Sequence, residues 1–327
     1  MKKILITGGA GFVGRRFTKY FLDQGDQVIV VDNISKFTGG IDPSKDWPLF
    51  NPYDYKNFKF YKQDCRFWFS HSKDRDYDYA LHLAAMVGGR EMIEHNPLAV
   101  ADDLSIDSHY WQWAKNNKPK KTLCFSSSAC YPIKLQTKNN YRLLKEDDIN
   151  LNKGIPVPDL TYGWAKLTCE YLAKIAYEKH GLKSICYRPF SGYGEDQDLN
   201  YPFTSICKRI LTNSNKKRFK VWGSGYQMRD FIYIDDCVKG VIKTMNKINN
   251  GEALNLSNGK FINFINFAKK TANIAGYSPK ISGTSSKPEG VYARAGHTGK
   301  QKKYGIVNKI SLTEGINKTL NFISKKI

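Results

Sequence analysis

The run Thr7-Gly8-Gly9-Ala10-Gly11-Phe12-Val13-Gly14 constrains the chain more than any other segment, because it follows a short apolar run and opens a helical pattern. Glycines at this spacing permit a tight strand-to-helix turn, a close backbone approach to a pyrophosphate, and close packing of helix on sheet. The helix that follows points its first N–H groups at an anion. A second apolar run ends at Asp32, about 20 residues on, where a carboxylate accepts ribose hydroxyls. Gly8, Gly11, Phe12, Val13, Gly14, Asp32 and Asn33 are therefore expected to hold a dinucleotide. A carboxylate at 32 repels a 2′-phosphate and favours NAD over NADP. Arg15 and Arg16, close to the turn, keep the phosphorylated cofactor open as the alternative.

Apolar runs at 3–7, 27–31, 58–62, 79–83, 121–126 and 183–187 alternate with helical patterns at 12–24, 98–116 and 161–180. Such alternation predicts an α/β fold, a doubly wound parallel sheet of the Rossmann type with helices on both faces. After Arg188-Pro189 the alternation weakens, which predicts a smaller C-terminal α/β domain that binds substrate. The expected division is 1–188 for the cofactor domain, with 229–250 returning to it, and 189–228 plus 251–327 for the smaller one. Residues 33–57 contain Thr38-Gly39-Gly40 and several aromatics without helical periodicity. A segment of that length is expected either to serve function or assembly, or to pack on its own aromatics.

Composition narrows the class. Hydrophobic residues make up 41% of the 327, enough for a core, and charge interrupts every apolar stretch before the roughly 18 residues of a membrane span. Met1-Lys2-Lys3 before Ile4-Leu5-Ile6 imitates a secretory leader, but Gly8 ends the apolar run and no small-residue cleavage site follows, so a first strand is read instead. The seven cysteines are scattered and lack a CxxC pair, which argues against a disulfide framework or a zinc site and fits a reducing cytoplasm. The net charge of +21 attracts anions. Its clusters, such as Lys216-Lys217-Arg218, are short, separate and without interleaved aromatics, so no nucleic-acid groove and no membrane surface is expected.

Tyr162 and Lys166 stand at i and i+4 on one helix face, within reach of a shared ligand. An ammonium there favours the phenolate, bringing a phenol with an ordinary pKa near 10 closer to use as a base. Upstream, a strand ends in Ser126-Ser127-Ser128, where a hydroxyl can orient a substrate hydroxyl.

Together, and in this order, the glycine turn, Asp32, His82-Leu83-Ala84-Ala85, Ser126-Ser127-Ser128 and Tyr162-Gly163-Trp164-Ala165-Lys166 resemble the extended short-chain dehydrogenases/reductases that act on nucleotide sugars. The resemblance spans essentially the whole chain. It implies a catalytic set of Ser128, Tyr162 and Lys166, with Tyr162 removing a sugar hydroxyl proton while hydride passes to NAD. It also implies adenine contacts from Asp64 and Cys65, cofactor contacts from Leu83, Ala84, Ala85, Ser126, Tyr162 and Lys166, and Pro189 near the nicotinamide. Relatives of this kind are commonly dimers, so a homo-oligomer, dimer or tetramer, is expected.

Four segments are similar to GDP-mannose 3,5-epimerases: Ala84-Ala85-Met86-Val87-Gly88-Gly89, Ser127-Ser128-Ala129-Cys130, Trp222 to Arg229, and Pro288 to Arg294. By this similarity Arg229 and Arg294 bind a diphosphate, for which a planar guanidinium is well suited, and a GDP-sugar is the expected partner. Gly88, Ser128 and Ser191 join them as substrate-binding residues. Cys130 falls where those epimerases exchange a sugar proton, or else is a small buried residue lining the sugar pocket. Their second acid/base is a lysine, and this chain has Asn200 there; an amide does not shuttle protons at neutral pH. Ala129 and Cys130 replace the Asp-Glu pair of dehydratases. What remains is oxidation of a ring hydroxyl at C4, a pattern similar to bacterial GDP-manno-heptose 4-dehydrogenases that feed capsular polysaccharide. The alternatives are a GDP-sugar epimerase working through a transient ketone, and a non-catalytic nucleotide-sensing or nucleic-acid-binding protein on the same fold.

Overall fold

A computed structural model describes the chain apart from residues 36–37, 46, 87–89, 215 and 285–288. The first half runs β1 (Lys3–Thr7), α1 (Phe12–Asp23), β2 (Gln27–Asp32), β3 (Phe58–Lys62), α2 (Cys65–His71), β4 (Tyr79–His82), α3 (Arg90–His95), α4 (Pro97–Val100), α5 (Asp102–Asn117) and β5 (Lys121–Phe125). The hairpin β6 (Gln136–Thr137) and β7 (Asn140–Tyr141) follows, then α6 (Leu160–His180), β8 (Ser184–Pro189) and β9 (Ser191–Tyr193). The remainder is α7 (Pro202–Thr212), β10 (Arg218–Trp222), β11 (Met228–Arg229), β12 (Phe231–Tyr233), α8 (Ile234–Thr244), β13 (Asn250–Leu256) and β14 (Ile262–Asn263), closing with α9 (Phe264–Ile274), β15 (Lys280–Thr284), β16 (Ala293–Arg294), α10 (Gly299–Lys303) and α11 (Leu312–Ser324).

Seven strands form one parallel sheet in the order β13-β8-β5-β4-β1-β2-β3. Successive side chains of a strand point to opposite faces, and both faces here are covered. Ile4, Ile6, Val28 and Val30 meet Phe17 and Phe21 of α1 and Val238 and Val241 of α8. Leu5, Ile29, Val31 and Ala80 meet Trp68 and Phe69 of α2, Tyr110 and Trp113 of α5, and Ala173 of α6. Full burial of one such phenylalanine contributes about 1.5–3 kcal/mol. Strand order reverses between β1 and β4, so a crevice opens at the strands' C-terminal ends, the place where open α/β sheets bind ligands.

A separate core of Tyr193, Phe203, Ile206, Phe219, Phe231, Phe267, Ile316 and Leu320 organises the smaller domain. Here the expected division needs a correction. Residues 250–256 form β13, the edge strand of the large sheet beside β8, so the return to the cofactor domain runs on to Leu256. The helical pattern expected at 98–116 is likewise broken, with Pro97 starting α4 and α5 beginning anew at Asp102.

Candidate active site

The glycine turn sits at the crevice. Gly8 has φ +70°, and a Cβ there would lie 2.6 Å from the Ala84 nitrogen; one on Gly14 would lie 2.3 Å from the Gly8 oxygen. Only glycine lets α1, β1 and the Ala84 segment approach this closely. No side chain caps α1 and no acidic residue stands in its first turn, so its first N–H groups are directed at whatever anion occupies the turn. Asp32 closes β2 beside it. One carboxylate oxygen accepts from the Ala10 N–H (3.1 Å), the other from the Ile34 N–H (2.9 Å). Burial pushes its pKa up, opposed by these two bonds and by Arg15. The uncapped helix, the glycine cradle and this carboxylate fit a dinucleotide.

Arg15 and Arg16 are not free for a 2′-phosphate. Both are buried and share the Asp196 carboxylate, at 2.8 and 2.6 Å, and Arg15 also donates to the Ala10 carbonyl. The rest of the expected cofactor wall falls where the strands end. Leu83, Ala84 and Ala85 follow β4 half-buried, Asn33 is exposed, and Pro189 ends β8. Asp64 caps α2 through the Arg66 N–H and ion-pairs with the Arg66 side chain, while Cys65 beside it is buried, its thiol pushed up to about 12, chiefly by burial. The 33–57 segment packs largely on its own aromatics. Trp47 is buried edge-on against Phe50 and Phe58 and donates to the Ile41 carbonyl, and Ile41 in turn bonds the glycine turn at Ala10.

Tyr162 and Lys166 lie on the first turns of α6, with the ammonium 5.7 Å from the centre of the phenol ring. Burial raises the Tyr162 pKa above its ordinary value; Lys166 works in the opposite direction, and a hydrogen bond with the Ser127 side chain helps it. Thus Ser127 engages the phenol. Ser128 itself is buried and opens the short helical turn after β5, and Ser126 bonds toward the Lys166 carbonyl at 3.4 Å.

Three neighbours escaped the sequence reading. Asp103 of α5 is wholly buried, its Oδ2 3.3 Å from Lys166 Nζ. Burial alone would lower the Lys166 pKa, but Asp103, then Asp107 and Tyr162, outweigh it and hold the ammonium well above the ordinary lysine value. Asp107 Oδ1 accepts from His82 Nε2 at 3.1 Å, and His82 Nδ1 meets Thr7 Oγ1 at 2.8 Å, so a polar chain joins β1, β4 and α5 beside α6. Tyr201, just ahead of α7, has its pKa raised by burial first and then by the neighbouring Tyr162 phenol.

Near the N-terminus of α6, β11 and β16 pair so that Arg229 and Arg294 are register partners. Arg294 donates to Asp159 Oδ2 (2.8 Å) and Gln136 Oε1 (2.6 Å); Arg90, unforeseen in the sequence, donates to both Asp159 oxygens at 2.9 Å. Arg229 bonds the carbonyls of Met228, Val291 and Glu289, and burial followed by the Arg294 charge lowers its pKa to about 9. Ser191 starts β9 half-buried, with its N–H on the Asp230 carbonyl. Gly88 lies outside the described residues. Cys130 is fully buried in a small cluster with Tyr131, Leu144, Leu167 and Phe190. Its thiol donates to the Ser127 carbonyl at 2.7 Å, and burial with the nearby Glu170 charge pushes its pKa well up. A thiol so placed is a poor proton exchanger at neutral pH.

The model of the NAD dependent epimerase/dehydratase family matches residues 4–257. The chain belongs to that family. NAD is accordingly the cofactor of this family member. A UDP-glucuronate 4-epimerase of Thermodesulfobacterium geofontis is 28% identical over 331 residues, covering 99% of this chain and 96% of the relative. GDP-mannose 3,5-epimerase 1 of Oryza sativa subsp. indica is 25% identical over 336 residues, with 99% and 82% covered. Among solved structures, UDP-glucose 4-epimerase from Thermotoga maritima with UDP-glucose superposes with a TM-score of 0.81 at 25% identity, covering 99% of each chain. No helix among the described residues is long and apolar enough to cross a membrane.

Proposed function

We propose that this family member oxidises the C4 hydroxyl of a GDP-manno-configured sugar, as a GDP-manno-heptose 4-dehydrogenase serving capsular or other surface polysaccharide. The observation that carries this reading is the meeting of two functions at the start of α6. The phenol of Tyr162 is engaged by Ser127 and Lys166, and the guanidinium groups of Arg90 and Arg294 gather on Asp159, three residues before it, with Arg229 the register partner of Arg294. Tyr162 takes the proton of the sugar hydroxyl, Ser128 orients that hydroxyl, and Lys166 steadies the phenolate by its charge. NAD, when bound, supplies the hydride acceptor. The arginines hold the diphosphate by charge-assisted, bidentate hydrogen bonds. Cys130 is left out of the catalytic set because its thiol is enclosed and committed to a carbonyl. With Asn200 in the place of an acid/base lysine, proton exchange at C3 and C5 lacks both of its groups.

The second reading, a GDP-sugar epimerase through a transient ketone, is favoured by the epimerase names among the relatives. Cytoplasmic location and a homo-oligomer complete the proposal; exposed Leu104, Trp164 and Tyr171 on α5 and α6 support such an assembly. The test is to mix protein at substrate-like concentration with NAD and GDP-mannose or GDP-manno-heptose, following NADH absorbance and product mass. Accumulating NADH with a product lighter by two hydrogens supports the dehydrogenase; an isomer of unchanged mass without net NADH moves the assignment to the epimerase. Tyr162→Phe is expected to lower turnover at least about 100-fold, the scale of a general acid–base contribution. Near-normal turnover in that variant would exclude Tyr162 as the base.

A further inference from the structure

Asp159 occupies the N-cap position of α6, where an aspartate ordinarily accepts a hydrogen bond from the first turn, yet its side chain makes no capping bond. It has been drawn off the helix. Its carboxylate, 5% exposed, lies between the guanidinium groups of Arg90 and Arg294, with Arg229 as the register partner of Arg294. The next residue, Leu160, has φ +54°, a conformation that a leucine adopts only under constraint, and Tyr162 follows two residues later. The carboxylate thus stands where an anionic ligand of these arginines would stand, and it is tethered to the turn that carries the phenol. Among the described residues, Arg90, Arg229 and Arg294 face Asp159 and Glu94, which pairs with Arg90 Nε. Positive charge is thus in excess among these groups, and more so if Asp159 withdraws.

We propose that Asp159 is an internal competitor for the nucleoside diphosphate, holding Arg90 and Arg294 until the diphosphate displaces it, whereupon the freed carboxylate caps α6 and sets the first turn bearing Tyr162. The inference rests on the reading that Arg229 and Arg294 bind the diphosphate. Asp159 is a positioning residue in this scheme and touches neither substrate nor cofactor. A chain built this way keeps its arginines solvated by a carboxylate when empty, and ties substrate occupancy to the geometry of the base.

The test uses the NAD-loaded protein and GDP as probe, with three variants. Asp159→Asn removes the competing charge but keeps a good capping residue, so the GDP dissociation constant is expected to fall about tenfold, within the usual range of coupling between sites, with kcat little changed. Asp159→Ala also tightens GDP but cannot cap, so kcat falls, and Asn restores it. Arg294→Gln examines the underlying reading: unchanged GDP affinity there would remove the diphosphate site itself. If Arg294→Gln weakens GDP while Asp159→Asn leaves it unchanged or weakens it too, the site stands and the competition is overturned. In the unmodified protein, hydrogen exchange at the amides of residues 161 and 162, the two that an Asp159 cap can take, is expected to slow when GDP binds, as the cap forms. Unaltered exchange there would overturn the coupling to Tyr162 even if the variants did not fold.

Discussion

Replacing Asp103 by asparagine separates the charge beside Lys166 from the packing around it. The carboxylate is completely buried and its Oδ2 lies 3.3 Å from an ammonium whose side chain is 4% exposed. Asparagine keeps the volume and an oxygen for the Met86 N–H that Asp103 now accepts. Only the charge is lost, and removing one partner of a buried pair leaves the other uncompensated, at about 3–5 kcal/mol. Asp107 also raises the Lys166 pKa and remains in the variant, so the lower end, about 3 kcal/mol, is expected in urea unfolding at pH 7. The sign with pH follows from the raised folded value of Lys166. On the lysine side the pair's contribution is present below about pH 10.4 and is lost as pH rises through the higher folded value. On the acid side Asp103, its own pKa raised chiefly by burial, takes up a proton, so the gap between the two proteins narrows in strong base and again in acid. Asp103 also raises the Tyr162 pKa, so while Lys166 keeps its proton, the limb of the kcat/KM profile that reports the phenol moves to lower pH in the variant. A loss below about 1 kcal/mol together with an unmoved limb would refute the assignment of Asp103 to this pair, since that is the range of a solvent-exposed ion pair.

Gly14→Ala brings a Cβ to 2.3 Å from the Gly8 oxygen and 2.5 Å from the Gly9 Cα, so NAD affinity measured by calorimetry is expected to drop at least about tenfold, consistent with the roughly 1–3 kcal/mol of an overpacked site; undiminished affinity would contradict the close turn. Asp196→Asn strands buried Arg15, while Arg16 keeps Glu195 and Asp235, and is expected to cost about 3 kcal/mol at pH 7. Burial opposes ionisation of Asp196, but Arg16 and Arg15 prevail and hold its carboxyl below the usual range. Its contribution is complete above about pH 4 and lost as pH falls through the lowered value, so urea midpoints of the two proteins should converge in acid; a gap that stays constant to pH 2 would assign the loss to packing. Cys130→Ala is expected to keep turnover within about twofold and to lose about 1–2 kcal/mol in thermal unfolding, as for a buried core change; a 100-fold loss of turnover would return the thiol to the chemistry.

What could be read from the sequence was what lies close together along it. The glycine turn with Asp32, and Tyr162 with Lys166, are each fixed by one strand-turn-helix unit or one helix face, so spacing alone suffices. Asp103, Arg90 and Asp159 come together only through the packing of α3, α5 and α6, and no local period marks them. β13 was missed for a different reason. Its Asn-Gly-Glu-Ala-Leu-Asn-Leu sequence lies at the sheet edge with a register shift between Asn250 and Ala253, and so lacks the continuous apolar run of a central strand. The choice between Ser127 and Ser128 depended on a turn of three residues whose side-chain directions no pattern encodes.

The path of the chain between its two cores bears on how such an enzyme can be altered. After β8 it leaves for β9 and α7, returns with α8 and β13, departs again for α9 and β16, comes back so that Ile306 joins the first core, and ends in the second with α11. The half built on the second core is therefore not a cassette: it consists of several strips of chain, each anchored at both ends or threaded through the half that holds the parallel sheet, with Asp196 pinned beneath Arg15 and Arg16. Recombination with a relative at one or two junctions would sever these strips. A new sugar preference in this scaffold is accessible by changing side chains along the cleft, and not by exchanging a domain.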